Sequence, residues 1–164
     1  MRRGSTEEER TVVDVRVESG DITRVQADAL VVNLFEGVRA PGGGTGAVDR
    51  ALDGAITRLI QEGDITGKRG EITLIHTLGR IPAPRVAVLG LGAREKFTLD
   101  TVRDLTAELA RFLRGRGIAR AASITHGAGI GGLEPEACAQ AMAEGGFFGH
   151  TAPDGSTFIT RNEQ

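Results

Sequence analysis

The 164 residues carry 20 Lys+Arg against 22 Asp+Glu, a net charge of −2, with 40% hydrophobic and 26% charged residues, the balance of one ordinary globular domain. No apolar run approaches the roughly 18 residues of a membrane span, and the charged stretch 1–10 lacks the apolar core of a secretory signal, so a cytoplasmic location is expected. Near-balanced charge, with 6 Phe and no Tyr or Trp, argues against nucleic-acid binding, and the single cysteine, Cys138, excludes an internal disulfide and a cysteine-based zinc cluster.

Residues 12–18 alternate apolar and polar, which predicts an edge or half-covered strand. Gly20-Asp21-Ile22-Thr23 turns the chain, and the apolar run 29–34 suits a strand buried on both faces. Pro41 and Gly42-Gly43-Gly44 make 38–46 a loop. Val48, Leu52, Ala55, Ile56, Leu59 and Ile60 then recur at helical spacing, with Thr45 as N-cap and Gly63 as stop. Residues 71–76 and 86–91 are two further strands, the second closed by Gly90-Leu91-Gly92. Thr98 caps a helix whose apolar face carries Val102, Leu105, Leu109, Phe112 and Leu113 and which ends near Gly115 or Gly117. A strand at 121–125, a glycine-rich turn at 127–132, and a helix from Glu134 with Pro135 in its first turn follow. The stretch 150–164 reads as a polar tail or linker with one short strand at 157–160. Strands alternating with helices predict a three-layer α/β/α sandwich.

In such sheets ligands bind at the carboxyl ends of strands, where loops meet helix N-termini. Two glycine loops fit that position. Gly42, Gly43 and Gly44 lie between a buried strand and a helix, and Gly127, Gly129 and Gly131 repeat the setting. Backbone N–H groups and helix dipoles there favour an anion, and two such loops on one sheet edge could clamp a diphosphate. Neither loop is a Walker A motif or a dinucleotide fingerprint. His76, His126 and His150 lack metal-ligand spacing, so no metal and no cofactor are expected. His126 reads as a turn histidine, and Cys138 as a small buried hydrophobe on the inward face of its helix. Phe147-Phe148, flanked by glycines, is a candidate apolar patch.

Taken in order, Ala27-Asp28-Ala29-Leu30-Val31-Val32, the turn Gly67-Lys68-Arg69-Gly70-Glu71, and Val86 to Gly92 continuing into Ala93-Arg94-Glu95-Lys96-Phe97-Thr98 resemble the N-terminal domain of the leucyl (cytosol) aminopeptidase family. The resemblance spans about residues 12 to 146. It implies a macro-domain-like fold with a mixed sheet, related to the ADP-ribose-binding module, and a division into a charged extension (1–11), the macro-like domain (12–149) and the tail (150–164). On the macro pattern Asp21 matches the aspartate that recognises adenine, and Asn33 matches the first asparagine of Asn-Ala-Ala-Asn. Glu36 replaces the second asparagine, and Ile130 stands where an aromatic residue is frequent.

The family's metal ligands and its Asn-Thr-Asp-Ala-Glu-Gly-Arg signature belong to a catalytic domain, and that signature is absent from this sequence. The chain alone is therefore expected to be non-catalytic, whereas a full-length member would be a metal-dependent leucyl aminopeptidase. The expected role is assembly, regulation or the positioning of a fused or associated catalytic or effector domain, or of further copies in a homo-oligomer. The alternative is a sensor that binds ADP-ribose or a related nucleotide through Asp21, Asn33 and the two glycine loops.

Overall fold

The apolar run that opens at Ala29 becomes the central part of a sheet. The computed structural model describes residues 15–18, 20–127, 132–149 and 157–161. Its strands are β1 (Val15–Glu18), β2 (Ala29–Phe35), β3 (Ile72–His76), β4 (Arg85–Gly92), β5 (Arg120–Ile124) and β6 (Thr157–Arg161). The helices are α1 (Gly43–Ala51), α2 (Ala55–Glu62), α3 (Leu99–Gly115) and α4 (Pro135–Gly149), with 3₁₀ turns at Ile22–Arg24 and Arg94–Lys96. The sheet order is β1-β6-β5-β2-β4-β3. β3 runs antiparallel to β4, and the other pairings are parallel.

Two buried clusters account for the three layers. Alternate side chains of a strand point to opposite faces, and β2 divides accordingly. Ala29, Val31 and Phe35 join Ala87, Leu89 and Leu91 of β4 under Val102, Leu105 and Leu109 of α3. Leu30, Val32 and Leu34 join Val86 and Val88 under Val48, Leu52 and Ile56 of α1 and α2. The expected α/β/α sandwich with a mixed sheet is thus present.

Thr98 caps α3 as expected, within a capping box completed by Thr101. Arg103 of α3 reaches Glu144 of α4 at 2.7 Å and Asp100 at 2.6 Å, tying the two helices together. Cys138 is buried, as its helical position predicts, and burial pushes its thiol up.

Three expectations need correction. The loop assigned to 38–46 ends early, because α1 starts at Gly43. Gly42, not Thr45, occupies its N-cap, and Thr45 lies in the first turn, where its hydroxyl serves β2 instead. The single helix expected before Gly63 is two helices, broken where Asp53 (φ 55°) and Gly54 (φ 75°) take left-handed conformations. The carboxylate of Asp49 holds the break, accepting from the Thr57 backbone N–H at 3.0 Å and its hydroxyl at 2.6 Å. Gly63 does end the second helix, with φ 83°.

The first strand is described from Val15, and residues 1–11 and 12–14 lie outside the described residues, as do 150–156. The strand expected at 157–160 is β6, hydrogen-bonded between β1 and β5, so that part of the stretch read as a tail is built into the sheet. The Phe147 and Phe148 side chains lie outside what is described.

Candidate functional site

β2, β4 and β5 run parallel and end at the same edge of the sheet. The β2–β4 register shifts after Leu34: Leu34 pairs with Gly90 and Phe35 with Gly92, so the extra residue, Leu91, belongs to β4. Phe35 lines a cavity of about 390 Å³ at this edge, within the range typical of small-molecule sites.

One wall is the start of α1, from Gly42 to Thr45. The Thr45 hydroxyl donates to the Asn33 carbonyl at 2.8 Å and accepts from the Asn33 N–H at 3.3 Å. These two bonds fix the helix N-terminus against the end of β2. Gly43 has φ 53°, a conformation that favours glycine.

Elsewhere the lining includes the Phe35 and Arg94 side chains, with Phe97 packed against Phe35. Phe35 and Phe97 meet edge-to-face with ring centroids 5.0 Å apart. The Arg94 guanidinium lies over the Phe35 ring at 5.1 Å, a cation–π contact. Gly127 (φ 79°) sits so close to Phe97 that a Cβ there would overlap the ring. Arg94 also borders a second, open hollow with Glu36 and Glu95. It is the one ionisable side chain among the residues lining the main cavity.

His126 lies behind the lining and is 0% exposed. Its Nδ1 is 3.0 Å from Asn33 Nδ2, and its backbone N–H points at the Met142 sulfur at 3.2 Å. With the Asn33 amide donating, Nδ1 accepts and the ring proton sits on Nε2, which has no partner among the described residues. Burial pushes the imidazole down to about 4, so the ring is neutral at physiological pH. Asn33 and His126 stand 93 positions apart in sequence and join the ends of β2 and β5.

Asn33, Gly42, Gly43, Gly44 and Gly127 are therefore brought together around one cavity. Asp21 lies elsewhere, capping the 3₁₀ turn at Ile22–Arg24, where its carboxylate accepts from the Thr23 N–H at 2.9 Å and hydroxyl at 2.7 Å. Gly129 and Gly131, with Ile130, lie outside the described residues. Glu36 is exposed and borders the second hollow, not the main cavity. Sequence reasoning overlooked Arg94 as a lining residue and Phe97 as the ring packed against the lining residues Phe35 and Gly127. A signal was available: both lie in the Ala93–Phe97 stretch that follows the glycine-closed strand Gly90-Leu91-Gly92. Among the described residues no group of three or more His, Cys, Asp or Glu is placed to hold a metal ion, and no helix is long and apolar enough to cross a membrane.

Three comparisons bear on this arrangement. The model of the cytosol aminopeptidase family, N-terminal domain, matches residues 31–147. Probable cytosol aminopeptidases of Geobacter sulfurreducens and Alkaliphilus oremlandii are each 36% identical over 131 and 134 residues respectively, covering 80% of this chain and 26% of the relative. The chain thus spans about a quarter of the length of these curated relatives. Among solved structures, the Trypanosoma brucei macrodomain in complex with ADP-ribose superposes with a TM-score of 0.74 at 18% identity, covering 92% of this chain and 64% of the other. The macrodomain of Mycobacterium tuberculosis DarG gives 0.70 at 21%, covering 91% and 98%. A tomato leucine aminopeptidase mutant gives 0.72 at 17%, covering 93% and 32%. At these identities the likeness is one of fold.

Proposed function

Since the chain belongs to the cytosol aminopeptidase family, as its macrodomain-like N-terminal domain, we propose that it is a non-catalytic module that positions or regulates a catalytic or effector domain, fused or associated, in the cytoplasm. The state of His126 carries this reading. Among the described residues it is the one histidine beside the cavity, and it is buried, neutral and tied to Asn33. A general acid or base needs a proton exchanged near neutral pH and contact with the reacting group. An imidazole pushed down to about 4 behind the cavity lining meets neither need. The remaining polar lining, Asn33, Thr45, Thr125 and Arg94, binds and orients.

The test is hydrolysis. Incubated with a chromogenic leucyl substrate and added zinc or manganese, the chain is expected to give the rate of a protein-free blank. Turnover that survives repurification overturns the reading.

A second reading is supported by the cavity itself. Glycine backbone on one side and the Arg94 guanidinium on the other suit an anionic ligand, and ADP-ribose is the candidate that the fold suggests. If it binds, ADP-ribose raises stability by about 2.7 kcal/mol at a hundredfold excess over its dissociation constant, and Arg94→Gln diminishes the gain. No heat and no melting shift at millimolar ADP-ribose would remove this reading and leave the first untouched.

A further inference from the structure

Asn33 is held from two sides. Its backbone N–H and C=O are both bonded to the Thr45 hydroxyl, and its side-chain Nδ2 lies 3.0 Å from His126 Nδ1. Alternation along β2 puts Asn33 on the face that carries Val31 and Phe35. Asn33 and Phe35 both line the main cavity.

His126 is an unusual residue for its place. It is fully buried, yet its Nε2 has no partner among the described residues. A buried N–H without an acceptor lowers stability, and a leucine or methionine fills such a space without that loss. The ring makes one side-chain hydrogen bond among the described residues, and that bond goes to Asn33. What the imidazole supplies, and an apolar side chain cannot, is an acceptor beside the Asn33 amide.

The consequence lies at the other end of that amide. Because the ring is neutral, Nδ1 accepts and the Asn33 NH₂ group is turned towards it. The Asn33 oxygen takes no hydrogen bond from the described residues. Among them His126 Nε2 is the one buried side-chain nitrogen or oxygen without a partner, so the Asn33 oxygen is not buried, and it opens on the cavity that Asn33 lines. A carbonyl oxygen attracts a donor and repels the oxygens of an ionised phosphate. The glycine backbone at 42–44 and the Arg94 guanidinium present the reverse character to the same cavity.

We propose that His126 is a positioning residue: it holds the Asn33 amide with its oxygen towards the cavity, and so selects a sugar phosphate, an anion that carries a hydroxyl to donate there. The inference rests on the anion-binding reading of the cavity and adds to it the donor that the ligand must carry. His126 touches no part of the ligand and acts through Asn33 alone.

Two probes test it on the full chain. Ribose 5-phosphate has the hydroxyls, and tetrahydrofurfuryl phosphate is the same ring without them. The wild type is expected to bind ribose 5-phosphate about tenfold more tightly, the effect of one net hydrogen bond. His126→Leu should bind the two about equally, since the glycine backbone and Arg94 remain. His126→Gln, whose side-chain oxygen accepts from the same amide, should restore part of the preference. Imidazole ¹⁵N shifts supply a readout that packing alone does not move: in the free wild type Nδ1 is expected as the bare acceptor and Nε2 as the N–H. A hydrogen on Nδ1 overturns the proposal, and so does a preference that is absent from the wild type or unchanged in His126→Leu; in each of these cases the anion site itself stands. If neither phosphate binds at millimolar concentration, the anion-binding reading falls and the proposal with it. Should His126→Leu fail to fold, the nitrogen shifts and the wild-type preference still decide.

Discussion

The two walls of the cavity are held by different means. On the α1 side the backbone is fixed by a hydroxyl: Thr45 bridges the N–H and C=O of Asn33, and Gly42 has open space around it. On the opposite side Phe35, Phe97 and Arg94 stack, and Gly127 is a glycine because the Phe97 ring occupies the place of its side chain. Both walls are glycine-containing loops in sequence, yet the glycines answer to different constraints. At Gly42 the missing side chain leaves room in the cavity. At Gly127 the room is already taken.

The same substitution at both glycines separates these cases. Gly127→Ser forces a side chain into a left-handed backbone (φ 79°) and into the Phe97 ring. Strain and overpacking together are expected to cost about 2 to 4 kcal/mol in chemical denaturation. A loss below about 1 kcal/mol would mean that the ring swings aside freely, and that the wall is not held by its stacked side chains.

His126 couples the two walls and titrates with them. An unfolded chain protonates this imidazole near its ordinary 6.5, whereas the folded protein resists until about 4. Acid therefore favours unfolding. The contribution is complete above pH 6.5 and is lost progressively as pH falls towards 4, by about 3 kcal/mol at most. Stability measured against pH for wild type and His126→Gln isolates this group, because the other titrations cancel in the difference. A difference that does not change between pH 7 and pH 4 would show that the ring is reached by water or by a partner that stabilises its charged form.

How much of this was legible in the sequence follows from the range of each interaction. The Thr98 N-cap and the α3 stripe of Val102, Leu105 and Leu109 are local and legible in the sequence, whereas the Thr101 half of the capping box was not read. The buried character of β2 was also local, since both of its faces are apolar. The break between α1 and α2 was not legible. Leu52 and Ile56 keep helical spacing across it because both face the same core cluster, while the left-handed turn at Asp53 and Gly54 is held by Asp49 reaching Thr57. The grouping of Asn33 with the glycines at 42–44 and 127 was anticipated through the macro pattern. That Asp21 lines no part of the cavity was not, since a carboxylate in a turn can serve a ligand or the turn itself. Asn33 meeting His126 depends on β2 pairing with β5, and no local pattern encodes a contact 93 positions long. Arg94 lies in the family-like stretch, but its place over Phe35 depends on β2 pairing with β4, and no local pattern encodes that.

The smallest expected effect has the opposite sign. Gly42 is the N-cap of α1, with φ −112° and ψ −176°, extended backbone that any residue adopts. A Cβ there meets nothing within 4 Å, and the helix has no side-chain cap. Serine supplies an oxygen that accepts from an unpaired N–H of the first turn, and it restricts the unfolded chain more than glycine does. Gly42→Ser is therefore expected to stabilise the protein by about 0.5 to 1 kcal/mol in the same denaturation experiment. The comparison sharpens if ADP-ribose binds, because the serine hydroxyl then competes for the N–H groups that face the cavity. Unliganded stability rises while the gain on adding ligand shrinks. If Gly42→Ser instead destabilises as Gly127→Ser does, the α1 wall is packed as tightly as the aromatic one and the contrast between them fails.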